Sequence, residues 1–121
     1  MTTFSEDYSK QFNADRKTDP YKSALVIIDM QYATGHYDGP LARMMKSTGN
    51  TVTEWRFERI KSLVIPNTQK LIQAMRQAGG RVIYITIGAA LPDCSDAPVH
   101  MREFFKSMKN YEGQHAHKII E

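Results

Sequence analysis

The chain has 121 residues, of which 41% are apolar, a length that suits one globular domain and is too short for two typical ones. It carries 16 Lys and Arg against 13 Asp and Glu, for a formal charge of +3, and because no run of basic residues exists we expect no nucleic-acid partner. The longest apolar stretch, residues 24–28, is far shorter than the roughly 18 residues of a membrane span, so we expect a cytoplasmic protein with no membrane partner.

Residues 1–22 are polar apart from Phe4, Tyr8 and Phe12, and we interpret them as an N-terminal arm, with a short amphipathic helix as the alternative. Residues 23–121 are predicted to form part of a single domain. The domain begins with residues 24–28 (ALVII), a run typical of a strand covered on both faces of a parallel sheet. Residues 31–50 contain several glycines and no steady period, which predicts a long loop with one helical turn around residues 41–46.

A helical pattern begins at residue 51, with a short helix predicted over residues 52–60. A longer helix follows, starting near Pro66 and ending at Gly79-Gly80. Its apolar stripe consists of Leu71, Ile72, Met75 and Ala78. Residues 81–87 (RVIYITI) predict a second strand, residues 89–98 a loop, and residues 99–108 a further helix.

A strand, a helix and a strand in succession form a βαβ unit, whose strands should be parallel and joined by a right-handed crossover. The ends of the two strands, near Asp29 and near Gly88, then share the carboxyl edge at which open α/β sheets bind ligands.

Asp29 ends the first predicted strand, where burial of a carboxylate costs several kcal/mol unless it is paired or hydrogen-bonded. Two interpretations of Asp29 stay open at this point: it is a functional carboxylate, or it only caps the following loop. Phosphoryl transfer is disfavoured, because Gln31 and Ala33 leave no second carboxylate to share a magnesium ion. Dinucleotide binding is disfavoured as well, since no Gly-x-Gly-x-x-Gly follows either strand.

Residues 24–31 (ALVIIDMQ) resemble the opening motif of the isochorismatase-like cysteine hydrolases. The helix start at Pro66-Asn67, the helix end at residues 76–80 (RQAGG) and the strand at residues 82–86 (VIYIT) resemble the same family in the same order. The resemblance runs from about residue 23 to the end of the chain. It implies an α/β fold with an open parallel sheet, Rossmann-like and three-layered, of which this chain is the N-terminal portion.

In that family an aspartate, a lysine and a cysteine cooperate to cleave amide-type C–N bonds, and Asp29 matches the position of the aspartate. The family's lysine follows a further strand and its cysteine begins a later helix, so both are expected beyond residue 121. Lys118 lies in a segment that resembles the turn before the lysine strand. Tyr32-Ala33-Thr34 stands where the family usually has an acidic residue and a phenylalanine.

Cys94 is the only cysteine, which excludes an internal disulfide. It lies between Asp93 and Asp96, and neighbouring carboxylates raise the pKa of a thiol, whereas an activated nucleophile needs a lowered pKa. We therefore interpret Cys94 as an ordinary loop thiol.

We expect no metal and no cofactor. The nicotinamidases, which are relatives in this superfamily, bind a metal through an aspartate and histidines after the second strand, but no Asp-x-His follows residue 87 here. His36 and His100 stand alone, while His115 and His117 would point to opposite faces of a strand.

These residues and the resemblance together predict a hydrolase acting on a small amide, carbamoyl or related substrate, with Asp29 taking a proton from the cysteine thiol. Gln31 and Trp55 are candidate substrate contacts, and Trp55 is also assigned to packing together with the other aromatic residues Phe57, Phe104 and Phe105.

Two alternatives stay open: a non-catalytic remnant or assembly subunit of the same fold, and a flavodoxin-like binding module, which would lack its phosphate loop. Because two parallel strands leave a sheet face and an edge open, we expect a homo-oligomer or a partner chain that completes the sheet.

Overall fold

The computed structural model describes residues 17–120. Most of the N-terminal arm predicted for residues 1–22, and the alternative helix there, lie outside the described residues. The end of that segment forms a 3-10 turn, Pro20–Lys22, in which the Asp19 side chain accepts the N–H of Tyr21 at 3.0 Å. This cap leads the chain directly into the first strand.

Two strands, β1 (Ala24–Ile28) and β2 (Arg81–Ile85), form a parallel sheet in which Ala24 pairs with Arg81 and Ile28 with Ile85. The prediction of a mixed α/β chain with a parallel βαβ unit is confirmed. Both strands are rich in β-branched residues, which fit a pleated and partly buried surface.

The described helices are α1 (Tyr32–Gly35), α2 (Pro40–Ser47), α3 (Glu54–Arg59), α4 (Ile65–Gln77) and α5 (Arg102–Met108). A π-helical segment, Ile60–Val64, joins α3 to α4. The 3-10 turn Val99–Met101 directly precedes α5, and a second 3-10 turn, His115–His117, follows it. None of the helices within residues 17–120 is both long and apolar enough to cross a membrane.

The prediction of a long loop over residues 31–50 with one helical turn around residues 41–46 is correct only for that turn: α2 extends it at both ends, and α1 forms a further helical turn before it. The Gly39-Pro40 pair starts α2 and does not break the chain into a loop: Gly39 is the N-cap and Pro40 the first helical residue, where its missing N–H has no cost.

Helix α4 lies against one face of the sheet, where Ile27 and Ile72 are both nearly fully buried. Gly79, with φ 77°, ends the helix in the left-handed region as predicted. Of the predicted apolar stripe, Ile72 is buried and Met75 is half-buried, whereas Leu71 is 57% exposed and Ala78 is exposed as well. A two-stranded sheet offers only a narrow surface, and one row of α4 side chains covers it.

Most of the core lies beside the sheet, in two clusters. The first consists of Leu41, Ala42, Phe57 and Met108, and the second of Ala89, Cys94, Ala97 and Phe105. The packing assigned to Phe57 and Phe105 is confirmed, whereas Trp55 is 73% exposed and lies outside both core clusters.

The other face of the sheet is uncovered within residues 17–120. We call it the open face; its large side chains are 43–61% exposed and belong to Val26, Ile28, Ile83, Ile85 and Ile87. The expectation that two parallel strands leave one sheet face open is confirmed for the described residues, and β1 is therefore not covered on both faces as its apolar run alone suggests. A contiguous apolar surface of this kind typically marks a contact site.

Candidate functional site

Asp29 lies at the carboxyl end of β1 in an unusual backbone conformation. Its φ of 57° falls in the left-handed region, which non-glycine residues adopt at a cost in free energy, although aspartate tolerates it better than most. The Asp29 N–H donates to the carbonyl oxygen of Ile85 at 2.9 Å, so the sheet ladder holds the residue in place. Strain of this kind at the end of a strand is typical of functional positions.

The carboxylate of Asp29 is exposed. No ion pair or side-chain hydrogen bond with any residue among 17–120 engages it. The buried carboxylate considered from the sequence is thus absent, and the group stands at the sheet edge in contact with solvent. An exposed carboxylate at this edge has the chemistry of a general base and is open to a substrate.

Gln31 is fully buried, and its amide connects three parts of the chain. The side-chain oxygen accepts the N–H of Ile87 at 2.8 Å, while Nε2 donates to the carbonyl oxygen of His117 at 2.9 Å and to Oδ1 of Asn110 at 3.3 Å. These bonds join the ends of both strands to the C-terminal segment. Gln31 has no exposed surface, so its role is to support the carboxyl edge of the sheet. Its direct contact with a substrate stays a prediction, which this burial disfavours.

Asn110 completes the network. It is fully buried, donates from Nδ2 to the carbonyl oxygen of Ile87 at 2.9 Å, and lies with Oδ1 3.0 Å from Nδ1 of His117. Because a carbonyl oxygen only accepts, Nδ1 of His117 must carry a hydrogen. We call Gln31, Asn110 and His117 the amide clamp. No sequence pattern singles out Asn110, and the motif position of Gln31 is the one sequence signal for this network.

His117 and His115 lie in a 3-10 turn, so the expectation of a strand with histidines on opposite faces is wrong. Gly88 lies against this turn. A Cβ on Gly88 would stand 2.5 Å from Nδ1 of His117 and 2.8 Å from the backbone oxygen of Asn110. Only glycine permits the end of β2 to approach the amide clamp so closely.

Trp55 lies on α3 with the Arg59 guanidinium 5.7 Å from its ring centroid. Among the described residues, no hydrogen bond, ion pair or ring contact links Trp55 with Asp29. The structure therefore brings Asp29 and Gln31 to one edge and gives no contact that joins Trp55 to them.

Cys94 is fully buried in the second core cluster, with φ 55°. The adjacent carboxylates shape its loop: Asp96 accepts the N–H groups of Ala90 and Leu91 at 2.8 and 3.2 Å, and Asp93 accepts that of Ser95 at 3.0 Å. The Ala90 N–H in particular holds the pKa of Asp96 below its ordinary value. The thiol has no access to a substrate in this conformation.

Lys118 is exposed, and its segment runs beside the loop after β1. Its carbonyl oxygen accepts the N–H of Tyr32 at 3.0 Å, and the N–H of Ile120 donates to the carbonyl oxygen of Met30 at 2.7 Å. Within residues 17–120 no three His, Cys, Asp or Glu side chains come together in the way that a metal ion requires.

Comparison of the chain with models of protein families, with curated proteins and with solved structures gives no match. The family resemblance therefore depends on the motif residues alone.

Proposed function

We propose that this chain supplies the aspartate of an isochorismatase-like hydrolase site, which cleaves a C–N bond in a small amide, carbamoyl or related substrate. The observation that carries the proposal is Asp29, an exposed carboxylate in a left-handed conformation at the carboxyl end of a parallel strand. That edge is where open α/β sheets bind their ligands.

In this proposal Asp29 is the general base, and a cysteine and a lysine come from residues outside this chain. Asp29 accepts the thiol proton as sulfur attacks the carbonyl carbon of the substrate. It then returns that proton to the leaving nitrogen as the C–N bond breaks. Water hydrolyses the resulting thioester, which releases the acid and restores the thiol.

The amide clamp supports this role by fixing the backbone next to Asp29. Gln31 is two residues away, and its bonds to Ile87 and His117 hold the loop after β1 against the end of β2. A base must stay within hydrogen-bond reach of the proton it takes, so a rigid edge favours the reaction.

The proposal is tested by the gene sequence that follows the codon of residue 121. An open reading frame that encodes a strand with a lysine, and then a cysteine at a strand-to-helix turn, would support the hydrolase. An in-frame stop at that point would contradict it.

A stop would favour the second candidate, a non-catalytic remnant or assembly subunit of the same fold. The open face supports this candidate, because five large apolar side chains on one sheet surface suit a second copy or a partner chain that completes the fold. The burial of Cys94 also agrees with it, since the one thiol of this chain is not available for catalysis.

A further inference from the structure

A cavity of about 290 Å³ opens between α1, the start of α2 and the turn that follows α5. The residues that matter for its chemistry are Tyr32, His36, Arg43, Met108, Lys109 and His115. Asp29 does not line it, so this cavity is a different place from the proposed hydrolase site.

Aromatic and imidazole rings build one wall of the cavity. The ring of Tyr32 lies 4.7 Å from that of His36 and 4.2 Å from that of His115, measured between centroids. The His36 ring in turn stacks on Tyr37 at 4.2 Å. Met108, which is 2% exposed, adds apolar surface. A ligand in this cavity therefore meets surfaces suited to an apolar or flat group.

Two cationic side chains, Arg43 and Lys109, line the same cavity, and Asp38 is the one acidic residue among its lining residues. Arg43 donates one N–H to the carbonyl oxygen of Asp38 at 2.7 Å. No described residue engages its remaining donors. Lys109 has no ion pair or side-chain hydrogen bond within residues 17–120. The lining thus carries one unit of positive charge in excess when both histidines are neutral.

His36 contributes a donor to this lining. Its Nδ1 accepts the N–H of Asp38 at 3.2 Å, so the neutral ring carries its hydrogen on Nε2. Burial is the main reason why the pKa of His36 is lowered; His115 adds to that effect and Asp38 opposes it. The lowered pKa favours the neutral form of the His36 ring at pH 7.

We propose that this cavity binds a small organic carboxylate, with the charged group at Arg43 and Lys109 and the apolar part against the ring of Tyr32. A single excess positive charge suits a monoanion better than a doubly charged phosphate. The guanidinium fork matches the two oxygens of a carboxylate. The volume lies at the lower end for ligand pockets, which suits a ligand of one ring. The inference is independent of the proposed hydrolase activity.

The test uses ligand-observed saturation-transfer NMR with the 121-residue chain and benzoate as the probe. For a ligand of this size we expect a Kd on the order of 1 mM. Two comparison ligands separate the contributions: benzyl alcohol keeps the ring without the charge, and acetate keeps the charge without the ring. Each is expected to bind at least about fivefold more weakly than benzoate.

Variants locate the site. Arg43→Gln and Lys109→Asn should each weaken benzoate binding about fivefold to tenfold, since each removes one charge that contacts the carboxylate. Asparagine accepts the left-handed conformation of residue 109, where φ is 52°, so this variant keeps the turn. Arg59→Gln is the matched control and should leave the affinity unchanged, because Arg59 lies over Trp55 on α3.

Circular dichroism checks the fold of each variant, and Lys109→Asn alone carries the test if Arg43→Gln unfolds. Equal affinities for benzoate and benzyl alcohol would overturn the proposal. A loss of benzoate affinity in Arg59→Gln as large as in Lys109→Asn would overturn it as well. Acetate binding as tightly as benzoate would also overturn it, because the ring wall would then have no role.

Discussion

Replacement of Asn110 by alanine tests whether the amide clamp holds the carboxyl edge together. The side chain forms three hydrogen bonds, to Gln31, Ile87 and His117, and the residue is fully buried. A net contribution of about 1 kcal/mol per bond, with the 3.3 Å bond to Gln31 the weakest, gives an expected loss of about 3 kcal/mol. That loss is a large fraction of the 5–15 kcal/mol by which domains are typically stable.

Urea titration followed by circular dichroism measures this loss at one protein concentration for all variants. The matched control is Asn67→Ala, an exposed position on α4, which should change the free energy of unfolding by less than about 0.5 kcal/mol. An Asn110→Ala variant within about 0.5 kcal/mol of the parent chain would show that the amide clamp does not stabilise this edge, because three buried bonds would then contribute nothing measurable.

Three further substitutions, two of them with a matched control, test the buried thiol, the close approach at Gly88 and the open face. Cys94→Ser should lower the free energy of unfolding measured by urea titration by about 1–3 kcal/mol, since a hydroxyl replaces a fully buried thiol, and should leave any amide hydrolysis unchanged. Loss of turnover in a folded variant would make Cys94 the nucleophile. Gly88→Ala should lower the free energy of unfolding by more than about 2 kcal/mol, because its Cβ would lie 2.8 Å from a backbone oxygen. The control Gly49→Ala has open space around its Cβ and a φ of 68°, so it should lower that free energy by only about 1 kcal/mol; similar losses in the two variants would contradict the close approach at Gly88. The chain should associate in light scattering, and Ile85→Lys on the open face should lower its mean mass while Leu71→Lys on α4 does not; equal effects of the two would exclude the open face as the contact.

The sheet could be predicted from the sequence because each strand is a short run of branched apolar residues between clear turn signals. Residues 24–28 and 81–85 form the two strands, and the helix between them makes the pairing parallel. The position of Asp29 at the carboxyl edge follows from that pattern. The exposure of Asp29 does not follow from that pattern, because a continuous apolar run indicates a strand but does not indicate which residues cover it.

The amide clamp could not be predicted, because its members are far apart in the chain. Gln31 and Asn110 are separated by 79 positions, and only the folded structure brings them together. Helix α2 is predicted only as a single turn around residues 41–46 for a local reason: Gly39-Pro40 is a frequent turn signal, but the same pair suits the start of a helix. The burial of Cys94 also depends on contacts with Ala89 and Phe105 that no local pattern encodes.

The measurement that most directly tests the role of Asp29 is ammonia release from small amides and carbamoyl compounds by the full product of the gene that encodes this chain. Loss of the proton-accepting charge in Asp29→Asn should lower turnover by about 10²- to 10⁴-fold with the urea midpoint unchanged. The control Asp19→Asn keeps an N-capping side chain on an exposed turn and should keep turnover within about twofold of the parent. Turnover within about twofold of the parent in Asp29→Asn would contradict the assignment of Asp29 as the general base.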